Sequence, residues 1–214
     1  MTANFQRWQQ LYHKYRKHTM IWEPMFWENL ELCTKHHKRG HSIVECGVWK
    51  GGMIAAMADA LEDPAAEFHL FDSFEGLPQA QPIDGKAALE WQNDTESPGF
   101  YDNCKADIGD AQEAMALSSA RNVQIHPGWF EETLAGFRTT NPISILRLDA
   151  DWYASTLRCL EVLFPQVAPG GLLIIDDYFT WEGCAKAVHD YCSREGVELS
   201  IQSTEYKVAY AVKS

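Results

Sequence analysis

The fold is decided by two stretches of sequence, ISILRLDADWYAST at residues 143–156 and APGGLLIIDDY at residues 168–178. Each stretch contains an apolar run that ends in acidic residues. These acidic residues are Asp149, Asp151, Asp176 and Asp177. Between the two runs, from Thr156 to Val167, apolar residues recur at helical spacing, which predicts a strand, a crossover helix and a second strand. The two strands of such a unit are parallel.

Parallel strands end at the same edge of a sheet, and open α/β sheets bind ligands at that edge. If the two strands are neighbours, four carboxylates converge there. Like charges at close range raise each other's pKa and cost stability, whereas a hard divalent cation with oxygen ligands removes that cost. The alternative is that the acids only cap loops and helices, with Asp151 or Ser155 as an N-cap. Four acids at paired strand ends favour a metal site.

The length and charge of the chain limit the kinds of protein it can be. Its 214 residues fit one α/β domain, and its net charge of −12 argues against a general nucleic-acid binder. The sequence contains no apolar run of membrane-spanning length and no apolar signal-peptide core, so we expect a cytoplasmic protein with no membrane partner. The six cysteines form no CxxC pair, which favours reduced thiols over a zinc site or disulfides.

The first half of the chain has the layout of a nucleotide-binding crossover. A strand at 42–47 leads through Gly47 and the pair Gly51-Gly52 into a helix, although the glycines do not form a GxGxxG motif. The next strand, at 67–71, ends in Asp72, which stands about 20–25 residues after the glycine turn, where an acid holds the hydroxyls of a ribose. The glycine turn and the acid together favour an adenosine-type cofactor.

The remaining elements complete a single domain. Two N-terminal helices within residues 1–40 are separated by Pro24, and the irregular segment 76–104 is interpreted as a lid or a helix-containing cap. Three further helices are expected at 110–119, 131–137 and 181–194, and a short strand at 122–125. Alternating residues at 197–202 and 206–212 predict a C-terminal antiparallel hairpin.

In combination and in this order, six motifs resemble those of the macrocin O-methyltransferase family, the TylF/MycF/NovP type. The motifs, which span residues 42–194, are VECGVWKGG, LFDSFEGLP, GWFEETL, LRLDADWYAST, PGGLLIIDDY and GCAKAVHDY. The resemblance implies a Rossmann-like class I methyltransferase fold with a mostly parallel seven-stranded sheet. It also implies an enzyme that uses S-adenosylmethionine and Mg²⁺ or another divalent cation to methylate a hydroxyl in sugar or natural-product tailoring.

The resemblance also implies roles for particular residues. Those expected to bind the cofactor are Glu45, Gly47, Asp72, Ser73, Phe74, Gly128 and Trp129. Asp149, Asp176 and Asp177 match the metal-binding carboxylates, and Asp151 matches the general base, with the choice of base between Asp149 and Asp151 left open. Family resemblance is compatible with a homodimer that uses the N-terminal helices as its interface.

Some features depart from the family pattern and leave the acceptor open. Ala150 replaces a usual glycine, His189 stands where an acid is common, and the N-terminus is short relative to members that act on macrolide sugars. One alternative is a catechol-type enzyme with a flat aromatic acceptor, which would use Trp91, Phe100, Tyr101 and Trp152. A second alternative is a non-catalytic adenosine-binding or scaffold protein. A nicotinamide oxidoreductase is disfavoured because GxGxxG is missing.

Overall fold

A seven-stranded sheet forms the centre of the computed structural model, which describes residues 4–214. Its strands are β1 (Ser42–Cys46), β2 (Glu67–Asp72), β3 (Asn122–Pro127), β4 (Ile143–Leu148), β5 (Val167–Ile175), β6 (Gln202–Ser203) and β7 (Ala209–Val212). The strand order is β3-β2-β1-β4-β5-β7-β6. Strands β1 to β5 pair in parallel, whereas β7 is antiparallel to both β5 and β6. The predicted mostly parallel sheet with antiparallel C-terminal strands is confirmed.

Helices cover both faces of the sheet. They are α1 (Phe5–Tyr15), α2 (Glu23–His36), α3 (Gly52–Leu61), α4 (Lys86–Asn93), α5 (Tyr101–Cys104), α6 (Ile108–Leu117), α7 (Phe130–Thr133), α8 (Tyr153–Leu163) and α9 (Glu182–Glu195). One apolar core joins α1, α2, α3 and α6 to one face, through residues such as Ile43 and Ile145. A second core joins α8 and α9 to the other face, through Val44 and Leu146. Burial of both faces explains why the parallel strands read as continuous apolar runs.

The register of the central strands brings the predicted acidic ends together. Strand β4 pairs with β1 on one side and with β5 on the other, so that Leu148 lies between Cys46 and Ile175. The residues that follow these three positions therefore emerge side by side at one edge. The two acid-terminated strands are parallel, as predicted, and they are neighbours, which was the condition for the four carboxylates to converge.

The prediction that Pro24 separates the N-terminal helices is wrong, and neither residue named as an N-cap in the alternative to a metal site holds that position. Pro24 does not separate the N-terminal helices but lies in the first turn of α2, where a residue without an N–H group is tolerated because that N–H has no partner within the helix. The crossover helix α8 begins at Tyr153, and its N-cap position is Trp152 rather than Asp151 or Ser155. The first three residues of the predicted N-terminal section lie outside the described part of the chain.

The first strand of the predicted C-terminal hairpin is much shorter than the sequence suggests. Strand β6 contains only Gln202 and Ser203, and the alternating apolar residues before it, Val197, Leu199 and Ile201, pack against the second core. Their period-two pattern therefore reflects packing and not strand pairing. The helix expected at 131–137 is likewise reduced to the single turn α7.

Other expectations concern the thiols and the environment of the protein. All six cysteines are free within residues 4–214, as expected for reduced thiols. No helix in this part of the chain combines the length and the apolar character that a membrane span requires. The cytoplasmic location and the homodimer stay predictions.

Candidate functional site

The candidate site lies at the edge where the parallel strands end, and backbone hydrogen bonds hold these ends together. The N–H of Asp149 donates to the carbonyl of Cys46 at 2.8 Å, and the N–H of Gly128 donates to the carbonyl of Asp72 at 2.9 Å. The strand order reverses at β1, which lies between β2 and β4. Such a switch point opens a crevice at the carboxyl ends of the strands.

A cavity of about 560 Å³ occupies this edge. The predicted site residues that line it are Gly47, Asp72, Ser73, Gly128, Trp129, Asp149, Asp151, Asp176 and Asp177. Glu45 instead lines a small pocket of about 30 Å³ that shares Gly47 and Asp149 with the main cavity. The side chain of Phe74 packs in the first core. The structure therefore brings together nearly all of the residues that the sequence singled out.

Gly47 has a structural reason to be glycine. Its φ of +81° lies in the left-handed region, and a Cβ added there would lie 1.7 Å from the carbonyl oxygen of Asp149. The absent side chain thus lets the end of β1 approach the end of β4. Glycine at this position therefore allows two strand ends of this chain to lie close together, and it also leaves space for a ligand in the cavity.

Arg147 neutralises part of the acidic edge, and its role was missed from the sequence. The fully buried guanidinium donates from Nη1 to Glu45 Oε1 at 2.8 Å and to Asp149 Oδ2 at 2.7 Å, and from Nη2 to Asp176 Oδ1. Its Nε donates to Asn29 Oδ1 on α2 at 3.2 Å. An arginine inside an otherwise apolar strand, two residues before an acid, was the available signal, since buried charges are paired.

A second group of carboxylates shares Asp149 with this arginine and adds two residues, Asp151 and Asp177, that have no hydrogen bond from Arg147 within the described residues. Asp149, Asp151 and Asp177 each offer one carboxylate oxygen, and the three oxygens lie within 4.8 Å of one another. Burial, and then the negative charge of Asp149, raises the pKa of Asp151 to about 8. Burial, and then the charge of Asp151, also raises the pKa of Asp177. The raised pKa values mean that negative charge on Asp151 and Asp177 is unfavourable without a compensating cation, and carboxylate oxygens are the hard ligands that a divalent cation prefers.

Asp176 differs from the other members of the predicted metal set. It lines the cavity, but one of its oxygens accepts a hydrogen bond from Arg147. Burial raises its pKa to about 6, and the nearby guanidinium limits that rise. The three grouped oxygens therefore include Asp151 in place of Asp176, and the assignment of Asp176 as a metal ligand stays a prediction.

Asp72 is held in a fixed orientation at the end of β2. Its Oδ2 accepts the N–H of Trp49 at 2.8 Å, and its Oδ1 accepts the N–H of Phe74 at 2.7 Å. Burial raises the pKa of Asp72, and these two backbone donors oppose the rise. Each oxygen keeps a further lone pair, so Asp72 can still accept hydrogen bonds from two ligand hydroxyls.

Glu45 offers an unsatisfied acceptor beside the cavity. The residue is 1% exposed, and its Oε2 has no hydrogen-bond partner within the described residues. Burial outweighs the attraction of Arg147 and raises the pKa of Glu45 to about 8. A buried acceptor without a partner is rare in folded proteins. It suits a positively charged donor on a ligand that enters the small pocket.

The segment 76–104 is ordered and contains helix α4, so we call it the cap segment. Its ends are joined, because the N–H of Leu77 donates to the carbonyl of Asn103 at 3.0 Å and Asn103 Nδ2 donates back to the Leu77 carbonyl at 2.7 Å. Trp152 Nε1 donates to the carbonyl of Pro78 at 2.9 Å, which ties the cap segment to the start of α8. Its movement as a lid stays a prediction.

The cap segment presents few of its aromatic rings to the cavity. Of the four aromatic residues considered for an aromatic acceptor, only Tyr101 lines the cavity. Trp152 is 2% exposed, and the Nε1 of Trp91 donates to the carbonyl of Gly99 at 3.0 Å. Most of the rings invoked for a flat acceptor therefore serve to hold the cap segment together.

Comparison with known proteins agrees with these features. A model of the macrocin O-methyltransferase family matches residues 6–213. The 8-demethyl-8-(2,3-dimethoxy-alpha-L-rhamnosyl)-tetracenomycin-C 4'-O-methyltransferase of Streptomyces olivaceus is 36% identical over 198 residues, which cover 88% of this chain and 72% of that protein. The mycinamicin III 3''-O-methyltransferase of Micromonospora griseorubida is 28% identical over 207 residues, which cover 90% and 77% of the two chains.

Solved structures point in the same direction. The O-methyltransferase NovP is similar to this chain with a TM-score of 0.76 at 26% identity, and the match covers 92% of this chain and 82% of that chain. With a family match that spans almost the full sequence, the chain belongs to the macrocin O-methyltransferase family and is an O-methyltransferase.

Proposed function

We propose that this chain transfers a methyl group from S-adenosylmethionine to a sugar hydroxyl of a natural product, with the help of a divalent cation. The observation that carries the proposal is the shared cavity, in which the adenosine-type strand ends and the acidic group of Asp149, Asp151 and Asp177 face the same space. A methyl donor bound at these strand ends and a methyl acceptor bound at the acidic group would lie next to each other.

The cofactor would be held by residues at the ends of β1, β2 and β3. Asp72 would accept hydrogen bonds from the ribose hydroxyls, with Ser73 beside it, and the free Oε2 of Glu45 would accept one from the ammonium group of the amino-acid end. Gly128 and Trp129 line the cavity and would lie along the adenine. Phe74 contributes through its backbone N–H, which fixes Asp72. Bound in this way, the cofactor supplies a methyl group on a sulfonium centre.

The cation would be held by Asp149, Asp176 and Asp177. The fit rests on the carboxylate oxygens of Asp149 and Asp177, which lie within 4.8 Å of each other, and on Asp176, which lines the same cavity. Within the described residues, Arg147 donates to Oδ2 of Asp149 and to Oδ1 of Asp176, so the second oxygen of each and both oxygens of Asp177 have no hydrogen bond from Arg147. When bound, a divalent cation lowers the pKa of a hydroxyl placed on it and offsets the negative charge of the site. Mg²⁺ keeps open coordination positions, which suits an acceptor with two neighbouring oxygens.

Asp151 would act as the general base. It lines the cavity beside Asp149 and Asp177, and it takes the proton from the acceptor hydroxyl. The acceptor oxygen then forms a bond to the methyl carbon as the carbon–sulfur bond breaks. The protein contributes mainly by positioning the two reactants, and such positioning supplies several kcal/mol of the barrier reduction, on the order of 7–11 kcal/mol at most.

A sugar acceptor is favoured over a catechol. Two similar proteins are named as methyltransferases of a rhamnosyl tetracenomycin and of mycinamicin III. In this chain, three of the four aromatic residues named for a flat acceptor, Trp91, Phe100 and Trp152, do not line the cavity. Vicinal hydroxyls on a sugar satisfy the same geometric requirement as a catechol without needing an aromatic slot.

The proposal is tested first by binding and then by turnover. S-adenosylhomocysteine at one hundred times its Kd should stabilise the protein by about 2.7 kcal/mol, and Mg²⁺ should give a separate shift that a chelator removes. Turnover of a rhamnosylated tetracenomycin, other glycosides with vicinal hydroxyls and simple catechols should then favour the glycosides. A cofactor shift without any effect of Mg²⁺ or chelator on turnover would remove the metal from the proposal.

Matched variants separate the metal ligands from the base. Asp177→Asn should raise the Mg²⁺ concentration that gives half-maximal activity, whereas Asp151→Asn should lower kcat at every Mg²⁺ concentration. Asp176→Asn should abolish activity and leave the fold intact. Full activity of Asp176→Asn in excess chelator would exclude a metal role for Asp176, and full activity of Asp151→Asn would exclude Asp151 as the base.

A further inference from the structure

The side chain of Asp151 is held from two directions. Its Oδ1 accepts a hydrogen bond from the indole Nε1 of Trp181 at 3.0 Å. Its backbone N–H donates to Oδ2 of Asp177 at 3.1 Å, and its φ of +53° lies in the left-handed region, which is uncommon for a residue other than glycine. One carboxylate oxygen is therefore occupied, and the other is left for the cavity.

Trp181 is itself fixed by the elements around it. Its backbone N–H donates to the carbonyl of Asp177 at 3.0 Å, at the N-cap position of α9. Its ring packs against Trp152 at 5.3 Å between centroids and against Trp91 at 6.0 Å. Trp152 in turn donates to the carbonyl of Pro78 in the cap segment. The indole that holds Asp151 is thus anchored to the acidic edge and, through its neighbours, to the cap segment.

We infer that Trp181 is a positioning residue for proton transfer, which fixes one oxygen of Asp151 so that the other faces the acceptor hydroxyl. The inference rests on the proposed function, in which Asp151 is the base. Because Trp181 packs against Trp152 and Trp91, the position of the cap segment also affects the orientation of Asp151. Loss of the indole N–H allows the carboxylate to rotate, so that proton transfer becomes less frequent while donor and acceptor still bind.

The kinetic test uses Trp181→Phe, which keeps an aromatic ring and removes the donor. With saturating Mg²⁺ and the glycoside of highest turnover, kcat should fall about 10- to 100-fold, the range typical of residues that orient a reacting group. The KM values of both substrates and the stabilisation by S-adenosylhomocysteine should stay within about twofold. The matched control is Trp27→Phe on α2, which removes an indole N–H that has no hydrogen-bond partner among the described residues and does not line the cavity, and which should leave kcat unchanged.

A double-variant comparison separates this inference from the proposed function. In Asp151→Asn, the further change Trp181→Phe should have little additional effect on kcat, because the group it positions is already lost. An inactive Asp151→Asn protein alongside Trp181→Phe with normal kcat would overturn the inference alone. A fully active Asp151→Asn protein would overturn the choice of base and the inference with it. A Trp181→Phe defect that excess Mg²⁺ restores would also overturn it, by making Asp151 a metal ligand.

A spectroscopic measurement covers the case in which Trp181→Phe is unstable. The indole ¹⁵N–H resonance of Trp181, assigned by its loss in Trp181→Phe or Trp181→Tyr, should shift in Asp151→Ala. The same resonance should keep its position in Glu90→Gln, a change in an exposed acid of α4 whose salt bridge is to Lys86. If the indole resonance kept its position in Asp151→Ala, Trp181 would contribute only to packing and would not hold the carboxylate, which would overturn the inference.

Discussion

Arg147 shows how a single residue sets the charge that the acidic edge can carry. It is buried in β4 and contacts carboxylates at the ends of three neighbouring strands, Glu45, Asp149 and Asp176. The planar guanidinium is suited to several carboxylates at once, which a lysine ammonium is not. The edge therefore has an internal cation that contacts Glu45, Asp149 and Asp176, whereas the described residues show no ion pair from Arg147 to Asp151 or Asp177.

At the same scale, we predict that Gly47→Ala is far more damaging than an alanine at another left-handed glycine. The new Cβ would meet the Asp149 carbonyl oxygen at 1.7 Å, so the ends of β1 and β4 would have to separate. The matched control is Gly40→Ala, where φ is +73° and no atom of the described chain lies within 4 Å of the added Cβ.

Urea unfolding provides the measurement for this pair of variants. Gly40→Ala should cost only the strain of a left-handed residue, about 1–2 kcal/mol. Gly47→Ala should cost clearly more and should also weaken binding of S-adenosylhomocysteine, because the strand ends that line the cavity move. Equal losses in the two variants would show that backbone strain alone explains the requirement for glycine.

At the scale of the elements, the strands and their acidic ends could be predicted because their signals are local. Buried parallel strands read as apolar runs, and the acids directly after β4 and β5 mark their ends. The first strand of the hairpin could not be predicted in the same way, since alternation at 197–202 fits strand pairing and packing against a core equally well. Only the tertiary contacts decide between the two.

The contacts of the cap segment depend on residues that are far apart in sequence. Helix α5 is a turn in which all four residues, from Tyr101 to Cys104, have positive φ values. None of them is glycine, so local preference disfavours this conformation. The turn is held by the hydrogen bonds between Leu77 and Asn103, which the sequence does not reveal. The position of Trp181 beside Asp151 is hidden for the same reason.

Helix α8 illustrates such a distant contact, because its N-terminus is capped by the cap segment. Asp84 Oδ1 accepts the N–H of Tyr153 at 2.7 Å, while its Oδ2 accepts the N–H of Gln81 at 2.7 Å. The residue is 3% exposed. Asp84, which lies 69 positions before Tyr153, thus caps the N-terminus of α8 in place of a local N-cap side chain. The same hydrogen bond connects the cap segment to the start of α8.

We predict that Asp84→Ala loosens the cap segment and destabilises the protein by about 1–2 kcal/mol, the upper range for loss of a helix N-cap. Hydrogen exchange should accelerate throughout residues 77–103 and remain slow in β4. The control is Asp107→Ala, which removes the local N-cap of α6, where Asp107 accepts from Gly109 at 2.7 Å. If Asp84→Ala left exchange in 77–103 unchanged, the contact would not hold the cap segment.

At the scale of the whole molecule, two groups of residues change the stability of the fold in opposite directions as the pH falls. One is the acidic edge, and the other is a pair of histidines on the neighbouring strands β2 and β3. The raised pKa values of Glu45 and Asp151, both about 8, mean that the folded protein binds protons that the unfolded chain releases. These groups make the fold relatively more stable as the pH falls towards the ordinary range of carboxylic acids.

The histidine pair acts with the opposite sign. His126 Nε2 lies 3.3 Å from His69 Nδ1, and its ring stacks on Phe71 with centroids 4.2 Å apart. Burial, and then the neighbouring His69, lowers the pKa of His126 to about 4, and burial lowers the pKa of His69 as well. Between about pH 6.5 and pH 4, the unfolded chain therefore binds protons that the folded protein excludes, and this contribution to stability is lost as the pH falls.

We predict that His126→Gln, which keeps hydrogen-bonding capacity at this position but cannot titrate, makes the protein less sensitive to acid. In urea titrations with chelator present, the free energy of unfolding of the parent protein should fall relative to that of the variant between pH 6.5 and pH 4.5. The difference cannot exceed about 1.4 kcal/mol per pH unit, the limit for one proton. His13→Gln, a change on the exposed side of α1, should follow the parent curve. Parallel curves for His126→Gln and the parent protein would mean that the folded chain accepts a proton on His126 as readily as the unfolded one, and that the packing of the histidine against Phe71 does not exclude the charged form.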